Sequence, residues 1–458
     1  MERLSQADLD GLNAIVGAKR MTTGASELDL HAGDESFHER HRPDVVIYPA
    51  STEEVSRILA WANERRVPVT AWGAGTSLEG NPIPIHGGIV LDMHRMDQIV
   101  NVWPEDLQVR VQAGVVFTDL NDRLRRYGLF FPPDPGASAT IGGMIANNAG
   151  GIRAVKYGVT RDHALGLQVV LADGRIIETG SRSIKSSSGY DLTRLFVGSE
   201  GTLGVITEAT LRLTGIPEEV MAAVVPFASV EDAARAVSEI IGTGLSPSAL
   251  ELVDEEIISL INRFKGLTLE ERPTLLIEFH GSSRTGLEEE IDFAREICSA
   301  NGATAFDTGI GREERDRLWE ARYAVHEAIR HAFSQYASIV ADVAVPISRF
   351  PEIVRYVKQV AHKTGIPGLA FGHAGDGNLH VELVADLQNE EEWRQTNRAN
   401  DAIVEYALDL GGTATGEHGI GIGKRKFMAR EHGESLKVME QIKKTFDPND
   451  ILNPGKIF

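Results

Sequence analysis

Cysteine is nearly absent. Cys298 is the only one in 458 residues, which excludes an intrachain disulfide or a cysteine-ligated iron–sulfur cluster built from this chain alone. That usage suits a reducing cytoplasm, the expected location. Positive charge is also scarce: 46 Lys and Arg against 66 Asp and Glu leave a formal net charge of -20. Such a field repels phosphate backbones and anionic lipid heads, so no nucleic-acid partner is expected and any membrane association would be peripheral. No run approaches the roughly 18 uninterrupted apolar residues of a spanning helix. The start, Met1 to Asp8, lacks the apolar core of a secretory signal. There is no internal repeat, and the Ser-rich run Ser181 to Ser188 is too short for a low-complexity segment.

What is present is length, enough for about two or three domains and a large buried cofactor, and a series of glycine-framed clusters. The densest is Phe371-Gly372-His373-Ala374-Gly375-Asp376-Gly377-Asn378-Leu379-His380. Its glycines let the backbone turn back, so that His373 in a tight loop and His380 on the following strand can converge on one point. A second cluster is Thr415-Gly416-Glu417-His418-Gly419. Turns that merely cap strands would explain either cluster alone. Together they offer two histidines and a carboxylate with open positions, as a catalytic divalent site requires, and one further histidine for proton transfer.

Residues 1 to 41 read as an entry helix followed by an irregular segment. From Pro43 the pattern sharpens into a strand, Val45 to Tyr48, then Ser51-Thr52-Glu53-Glu54, a capping box opening a helix whose Val55, Ile58, Leu59 and Ala62 form one apolar face. The strand Val67 to Trp72 empties into Gly73-Ala74-Gly75-Thr76-Ser77-Leu78-Glu79-Gly80, a loop of small residues able to wrap a pyrophosphate. It lacks the third glycine and the following helix of a Rossmann fingerprint. A second loop runs Pro132-Pro133-Asp134-Pro135-Gly136-Ala137-Ser138-Ala139-Thr140-Ile141-Gly142-Gly143 and on through Asn147-Asn148-Ala149-Gly150-Gly151. A third, Gly198-Ser199-Glu200-Gly201-Thr202-Leu203-Gly204, feeds a buried-strand pattern through Ile206. Two motifs are set aside: His326-Glu327-Ala328-Ile329-Arg330-His331 has one residue too many for a zinc-protease helix, and Gly423-Lys424-Arg425 lacks the Ser/Thr and earlier glycine of a P-loop.

In the order and spacing of these three loops the chain resembles the flavoprotein family of vanillyl-alcohol oxidase and p-cresol methylhydroxylase, from about Arg42 to the C-terminus. The resemblance implies an α+β fold, with a two-part non-Rossmann FAD-binding domain over residues 1–217 and a ferredoxin-like cap over 218–410. A segment over 411–458 would carry Glu417 and His418 and return to the FAD domain. Within the implied FAD site fall Trp72, Gly73, Ala74, Gly75, Thr76, Ser77, Leu78, Pro135, Gly136, Ser138, Thr140, Ile141, Gly142, Gly143, Asn147, Ala149, Gly150, Gly151, Glu200, Gly201, Gly204, Ile206 and Asn453. Tethered members attach flavin through a histidine in or near the first loop. Thr76-Ser77-Leu78 there implies noncovalent FAD.

His373 to His380, Glu417-His418 and the ending Phe446-Asp447-Pro448-Asn449-Asp450-Ile451-Leu452-Asn453-Pro454-Gly455-Lys456 resemble the D-lactate and D-2-hydroxyglutarate dehydrogenase branch, with glycolate oxidase flavin subunits as near relatives. The branch implies His373, His380 and Glu417 as ligands of a divalent zinc, manganese or iron ion. It further implies His418 as the base that takes the hydroxyl proton while hydride passes to flavin, and Arg322 as the substrate-carboxylate arginine. Its hydroxyglutarate members carry a lysine two residues before the aspartate of the strand Ser338 to Pro346, where this chain has Val340. A buried second carboxylate would lack a partner there. The expected substrate is therefore a small D-2-hydroxy acid, D-lactate or D-2-hydroxybutyrate ahead of glycolate and both far ahead of D-2-hydroxyglutarate. Alternatives are a glycolate oxidase flavin subunit, a D-2-hydroxyglutarate dehydrogenase and a noncatalytic flavin subunit; a flavin-free metal hydrolase would leave the first 217 residues unexplained. The electron acceptor of such flavins is a cytochrome, a quinone, an electron-transfer flavoprotein or oxygen, and a homodimer is compatible with the sequence.

Overall fold

A computed structural model describes residues 3–458. The chain divides into two compact units. One comprises residues 3–150, 159–216 and 417–458; the other comprises 151–158 and 217–416.

The first unit holds two α+β halves. In one, the parallel strands Val45–Ile47, Ile89–Asp92 and Val69–Trp72 form a sheet edged by Met21–Thr22. The helix Thr52–Arg65 buries Val55, Ile58, Leu59 and Ala62, the expected apolar face. Its cap differs from the expected reciprocal box. Ser51 Oγ accepts from the Glu54 N–H, whereas Glu54 accepts from the Ala50 N–H at 2.9 Å and pairs with Arg20. Arginine offers the carboxylate a charge that the Ser51 N–H cannot match. A short helix, Ala25–Leu30, also lies within the segment read as irregular. The other half is an antiparallel sheet ordered Ile99–Trp103, Gln108–Gln112, Val205–Arg212, Ala164–Val170, Ile176–Gly180.

The second unit is a seven-stranded antiparallel sheet. Its first four strands, Glu219–Pro226, Ala249–Val253, Thr274–Gly281 and Asp307–Ile310, stand in the order fourth, first, third, second. With the helices Val230–Gly242 and Arg284–Ala300 between them, this is the ferredoxin-like arrangement. The strands Gly368–Gly372, Asn378–Ala385 and Ala337–Ala344 extend it beyond Ala249–Val253.

Strand alternation sorts the residues of this sheet onto two faces. One face is apolar over the six strands inside the Asp307–Ile310 edge: Leu250, Leu252, Ile277, Phe279, Val381, Leu383, Ala341 and Val343 are all buried. The opposite face carries Glu251, Glu278, His280, His380, Glu382 and Asp342 beside the apolar Val253, Leu276, Leu369 and Phe371. Those apolar residues meet Ile257, Ile261, Leu318, Trp319, Val325 and Ile329 from the helices Glu255–Lys265, Arg312–Tyr323 and Val325–Ala332.

Buried acids on that face need partners. Glu278 accepts from Arg315 Nε and from Ser248 Oγ, and His280 Nε2 lies 2.7 Å from it. Tyr157 Oη reaches the other nitrogen of His280 at 2.8 Å. Burial opposes ionisation of Glu278, but the hydrogen bond from His280 and the charge of Arg315 hold its carboxyl down to about 2. Because this lies below the unfolded value, Glu278 stabilises the fold fully above about pH 4.5 and loses that contribution as pH falls toward 2. The contribution lost is about 3 kcal/mol, since every tenfold difference in proton affinity between the folded and unfolded chain is worth roughly 1.4 kcal/mol. Glu278→Gln is accordingly expected to flatten the acid limb of a denaturant-derived stability profile between pH 5 and pH 2; a limb as steep as the parent's would remove this assignment.

Candidate active site

The second unit brings three of the anticipated residues together, two of them on one buried carboxylate. His373 follows the strand Gly368–Gly372, and His380 lies on the next strand, Asn378–Ala385. Their rings stand 5.2 Å apart and nearly perpendicular. Glu251, fully buried on the neighbouring strand, contacts His373 Nδ1 at 2.8 Å and accepts from Arg322 Nε at 2.7 Å. Burial pushes the Glu251 carboxyl up, yet the charges and hydrogen bonds of His373 and Arg322 hold it below its ordinary value. When His373 is neutral, the ionised Glu251 keeps its proton on Nδ1 and leaves Nε2 as the lone-pair donor. Arg322 is buried and anchored, with its guanidinium 5.6 Å from the Phe371 ring centre. His326 and His380 also approach that ring, each at 5.3 Å.

Asp342 does comparable work on the strand beyond that of His380. Fully buried, it accepts from Asn378 Nδ2 at 2.8 Å, Thr415 Oγ1 at 2.8 Å and the Gly416 N–H at 2.9 Å, and His380 Nδ1 lies 3.4 Å away. Gly416 is required by close approach: a Cβ would stand 2.2 Å from Asn378 Nδ2. The pinned Thr415-Gly416 turn leads directly into Glu417 and His418. Neither Glu251 nor Asp342 was among the anticipated site residues. The available signal was an acid inside strands that are otherwise apolar, Ala249–Val253 and Ala337–Ala344.

Glu251→Gln would strand Arg322 and set an amide N–H against His373 Nδ1. A loss of about 3–5 kcal/mol in unfolding free energy is expected, the usual consequence of removing one partner from a buried ion pair. Equilibrium denaturation checks it, and a change under about 1 kcal/mol would contradict the shared-anchor role.

In the first unit, Glu417 and His418 open the returning segment. The His418 carbonyl accepts from Asn147 Nδ2 at 3.3 Å, and a Cβ on Gly150 would stand 3.1 Å from Glu417 Oε2. The glycine loops of the same unit interlock. Gly75 adopts φ +72°, and a Cβ there would stand 2.6 Å from the Trp72 indole; a Cβ on Gly73 would stand 2.5 Å from Thr140 Oγ1. Thr140 in turn caps the helix Ile141–Asn147, which contains Gly142 and Gly143. Ala74, Gly136, Ser138 and Gly143 are exposed; Thr76, Ser77, Leu78 and Pro135 are half-buried, with Ala149 and Gly150 buried beside them. Glycine positions where a Cβ meets no neighbour, Gly136 and Gly201, leave the space that a dinucleotide backbone contact requires.

Glu200 and Asn453 serve the protein's own frame. The buried Glu200 carboxylate accepts from Asn81 Nδ2 at 2.7 Å, the Ile420 N–H at 2.6 Å and the Gly421 N–H at 2.8 Å. Asn453 donates to the carbonyls of Asn81 and Glu200 at 2.9 and 2.7 Å, and buried Lys456 donates to Asn453 Oδ1 and the Ile83 carbonyl. Gly204 and Ile206 are buried, with Ile206 in register with Val169 and a bulge just after it. Asn81 and Lys456 were not anticipated, since Asn81 meets Asn453 across 372 residues and Lys456 meets Ile83 across 373.

With this geometry in hand, similarity to known proteins is informative. Residues 43–180 match the FAD binding domain family and residues 216–457 the FAD linked oxidases, C-terminal domain family. The chain is 42% identical over 440 residues to D-lactate dehydrogenase [cytochrome], mitochondrial, of Arabidopsis thaliana, covering 95% of this chain and 77% of that one. It is 41% identical over 434 residues to glycolate oxidase subunit GlcD of Bacillus subtilis, covering 94% and 92% respectively. The fold matches p-cresol methylhydroxylase with a TM-score of 0.81 at 17% identity, over 99% of this chain and 97% of that one. Among the described residues no helix is long and apolar enough to cross a membrane. The chain shares the fold of p-cresol methylhydroxylase, belongs to the FAD-linked oxidases and is an FAD-dependent oxidoreductase.

Proposed function

We propose that the chain oxidises a small D-2-hydroxy acid, D-lactate foremost, to the 2-oxo acid. FAD, held noncovalently, supplies the two-electron acceptor. A divalent zinc, manganese or iron ion, held by His373, His380 and Glu417, would supply positive charge at the substrate hydroxyl. The observation that carries the reading is the single buried carboxylate, Glu251, shared between Arg322 and His373. It fixes a guanidinium and an imidazole lone pair relative to one another, as a 2-hydroxy acid needs for its adjacent carboxylate and hydroxyl.

In this reading Glu251 takes Nε of Arg322, so the two-amino edge of the guanidinium binds the substrate carboxylate. His418 accepts the hydroxyl proton at a ring nitrogen, and the Thr415-Gly416 turn pinned by Asp342 orients it. Val340 lines the end distal to the carboxylate and favours a short alkyl group. The names of the relatives, D-lactate dehydrogenase and glycolate oxidase subunit, support the substrate class. A cytochrome, quinone or electron-transfer flavoprotein would then reoxidise the flavin. Turnover with an artificial acceptor tests the reading: kcat/KM should rank D-lactate or D-2-hydroxybutyrate above glycolate and both far above D-2-hydroxyglutarate. Preference for an L-2-hydroxy acid, or for none of these acids, would overturn it.

A further inference from the structure

The match to the FAD binding domain family begins at residue 43, yet the segment just before it grips the first glycine loop at both ends. His31 is buried, with Nδ1 2.8 Å from the Glu27 carbonyl and Nε2 2.9 Å from the Asp92 carboxylate. These two contacts fix the imidazole plane. Its ring centre stands 4.9 Å from that of Trp72, the last strand residue before the loop.

From His31 the chain makes a closed excursion: the Ala32 carbonyl accepts from the His41 N–H at 2.7 Å, the near-ended shape of an Ω loop. Its inner residues reach the far part of the glycine loop. The Glu35 N–H donates to the Ser77 carbonyl at 3.1 Å. Asp34 Oδ2 accepts from the Gly80 N–H at 2.8 Å, while Oδ1 accepts from the Ser36 N–H at 3.0 Å and the Ser36 hydroxyl at 2.5 Å. With both oxygens engaged, the carboxylate cannot rotate away from Gly80. Gly80 adopts φ +75°, and a Cβ there would stand 2.8 Å from Ile422 Cδ1 and 3.1 Å from His38 Cδ2, an approach that only glycine accommodates. The Glu79 carbonyl is tied back in turn, accepting from the Ile422 N–H at 2.7 Å.

The protein thus holds the Ser77 and Glu79 carbonyls and the Gly80 N–H. The N–H groups of Ala74, Gly75, Thr76 and Ser77 donate to no described residue. Consecutive backbone donors of this kind suit the anionic oxygens of a diphosphate. The shape of the loop is set by contacts that such a ligand does not make, which spares the ligand the cost of ordering it.

Resting on the reading of Gly73–Gly80 as a loop of the noncovalent FAD site, we propose that residues 31–41 are a brace that holds this loop in its FAD-binding shape, with Asp34 as the positioning residue. The brace acts on the share of molecules whose loop is formed. The apparent Kd for FAD is the intrinsic one divided by that share, so loosening the loop weakens binding without removing any group that touches the cofactor.

The test uses the full-length FAD-loaded protein, diluted while the fluorescence of released FAD is followed, beside thermal unfolding with and without excess FAD. Asp34→Ala is expected to raise the Kd for FAD at least about tenfold, the usual size of losing a hydrogen bond to a charged group. Asp34→Asn keeps an oxygen opposite the Gly80 N–H and should stay within about threefold of the parent. The Tm of Asp34→Ala should fall at low FAD and return to the parent value in saturating FAD, because the ligand restores the loop by mass action. A Tm that stays low in saturating FAD, or a variant that does not fold, assigns Asp34 to the fold alone and overturns the inference. An unchanged Kd in Asp34→Ala, or an equal rise in Asp34→Asn, overturns it as well. Gly75→Val forces a side chain against Trp72 at φ +72° and disturbs the loop directly. If Gly75→Val sheds FAD while Asp34→Ala binds it as the parent does, only the brace falls. If Gly75→Val retains FAD like the parent, or the parent's flavin stays with the denatured chain, the reading of the loop falls and takes the brace with it.

Discussion

His418→Ala is expected to slow flavin reduction by D-lactate by about 10²- to 10⁴-fold, the range lost when a positioned general base is removed. The motivation is the placement of His418 directly after the Thr415-Gly416-Glu417 turn, whose backbone is tied to the buried Asp342. A proton acceptor is useful only when held at hydrogen-bonding distance from the hydroxyl it deprotonates, and a turn pinned by a fully buried carboxylate restricts that position. In the same variant FAD and metal content should match the parent, because the role assigned to His418 is proton transfer and not ligation. The check is rapid-mixing flavin reduction beside metal and flavin analysis. Reduction at the parent rate would remove His418 from the chemistry; loss of metal together with rate would make it a ligand.

His380→Ala is expected to abolish metal binding and reduce turnover at least as severely, while leaving FAD in place. The imidazole sits on a buried strand within 5.2 Å of the His373 ring and 3.4 Å of Asp342. Second-sphere carboxylates of this kind fix the tautomer and raise the basicity of a ligating histidine. Losing one of three proposed protein ligands removes most of the affinity, so the metal should fall from about one per chain to near zero on dialysis. The FAD loops Gly73–Gly80 and 132–151 lie at other points of the sequence and do not include His380. Elemental analysis beside the flavin absorbance distinguishes the outcomes. Parent-like activity in metal-free protein would contradict any metal requirement.

The sequence made some of this arrangement readable and hid the rest for physical reasons. Glycine-framed clusters advertise themselves because few structural tasks need so many small residues together, so the loops at 73–80 and 132–151 and the His373–His380 run stood out. The ferredoxin-like alternation of strands and helices was readable too, since the apolar periodicities of Val230–Gly242 and Thr274–Gly281 are regular. Glu251, Asp342 and Glu382 were hidden by that same regularity. A lone acid in an alternating strand ordinarily marks a solvent-facing side, and only the covering helices Arg312–Tyr323 and Val325–Ala332 turn that side into an interior. The Glu200–Asn453–Lys456 link was hidden for another reason: Asn453 stands 253 residues from Glu200 along the chain. Local patterns carry no trace of such a pairing.

The most direct test of the central claim, that the chain takes two electrons from a D-2-hydroxy acid into FAD, is an anaerobic titration of the oxidised protein with D-lactate, following flavin absorbance and pyruvate together. The expected result is complete bleaching with one D-lactate consumed and one pyruvate formed per FAD, and no bleaching by L-lactate. A flavin that stays oxidised with D-lactate, D-2-hydroxybutyrate and glycolate alike would contradict it.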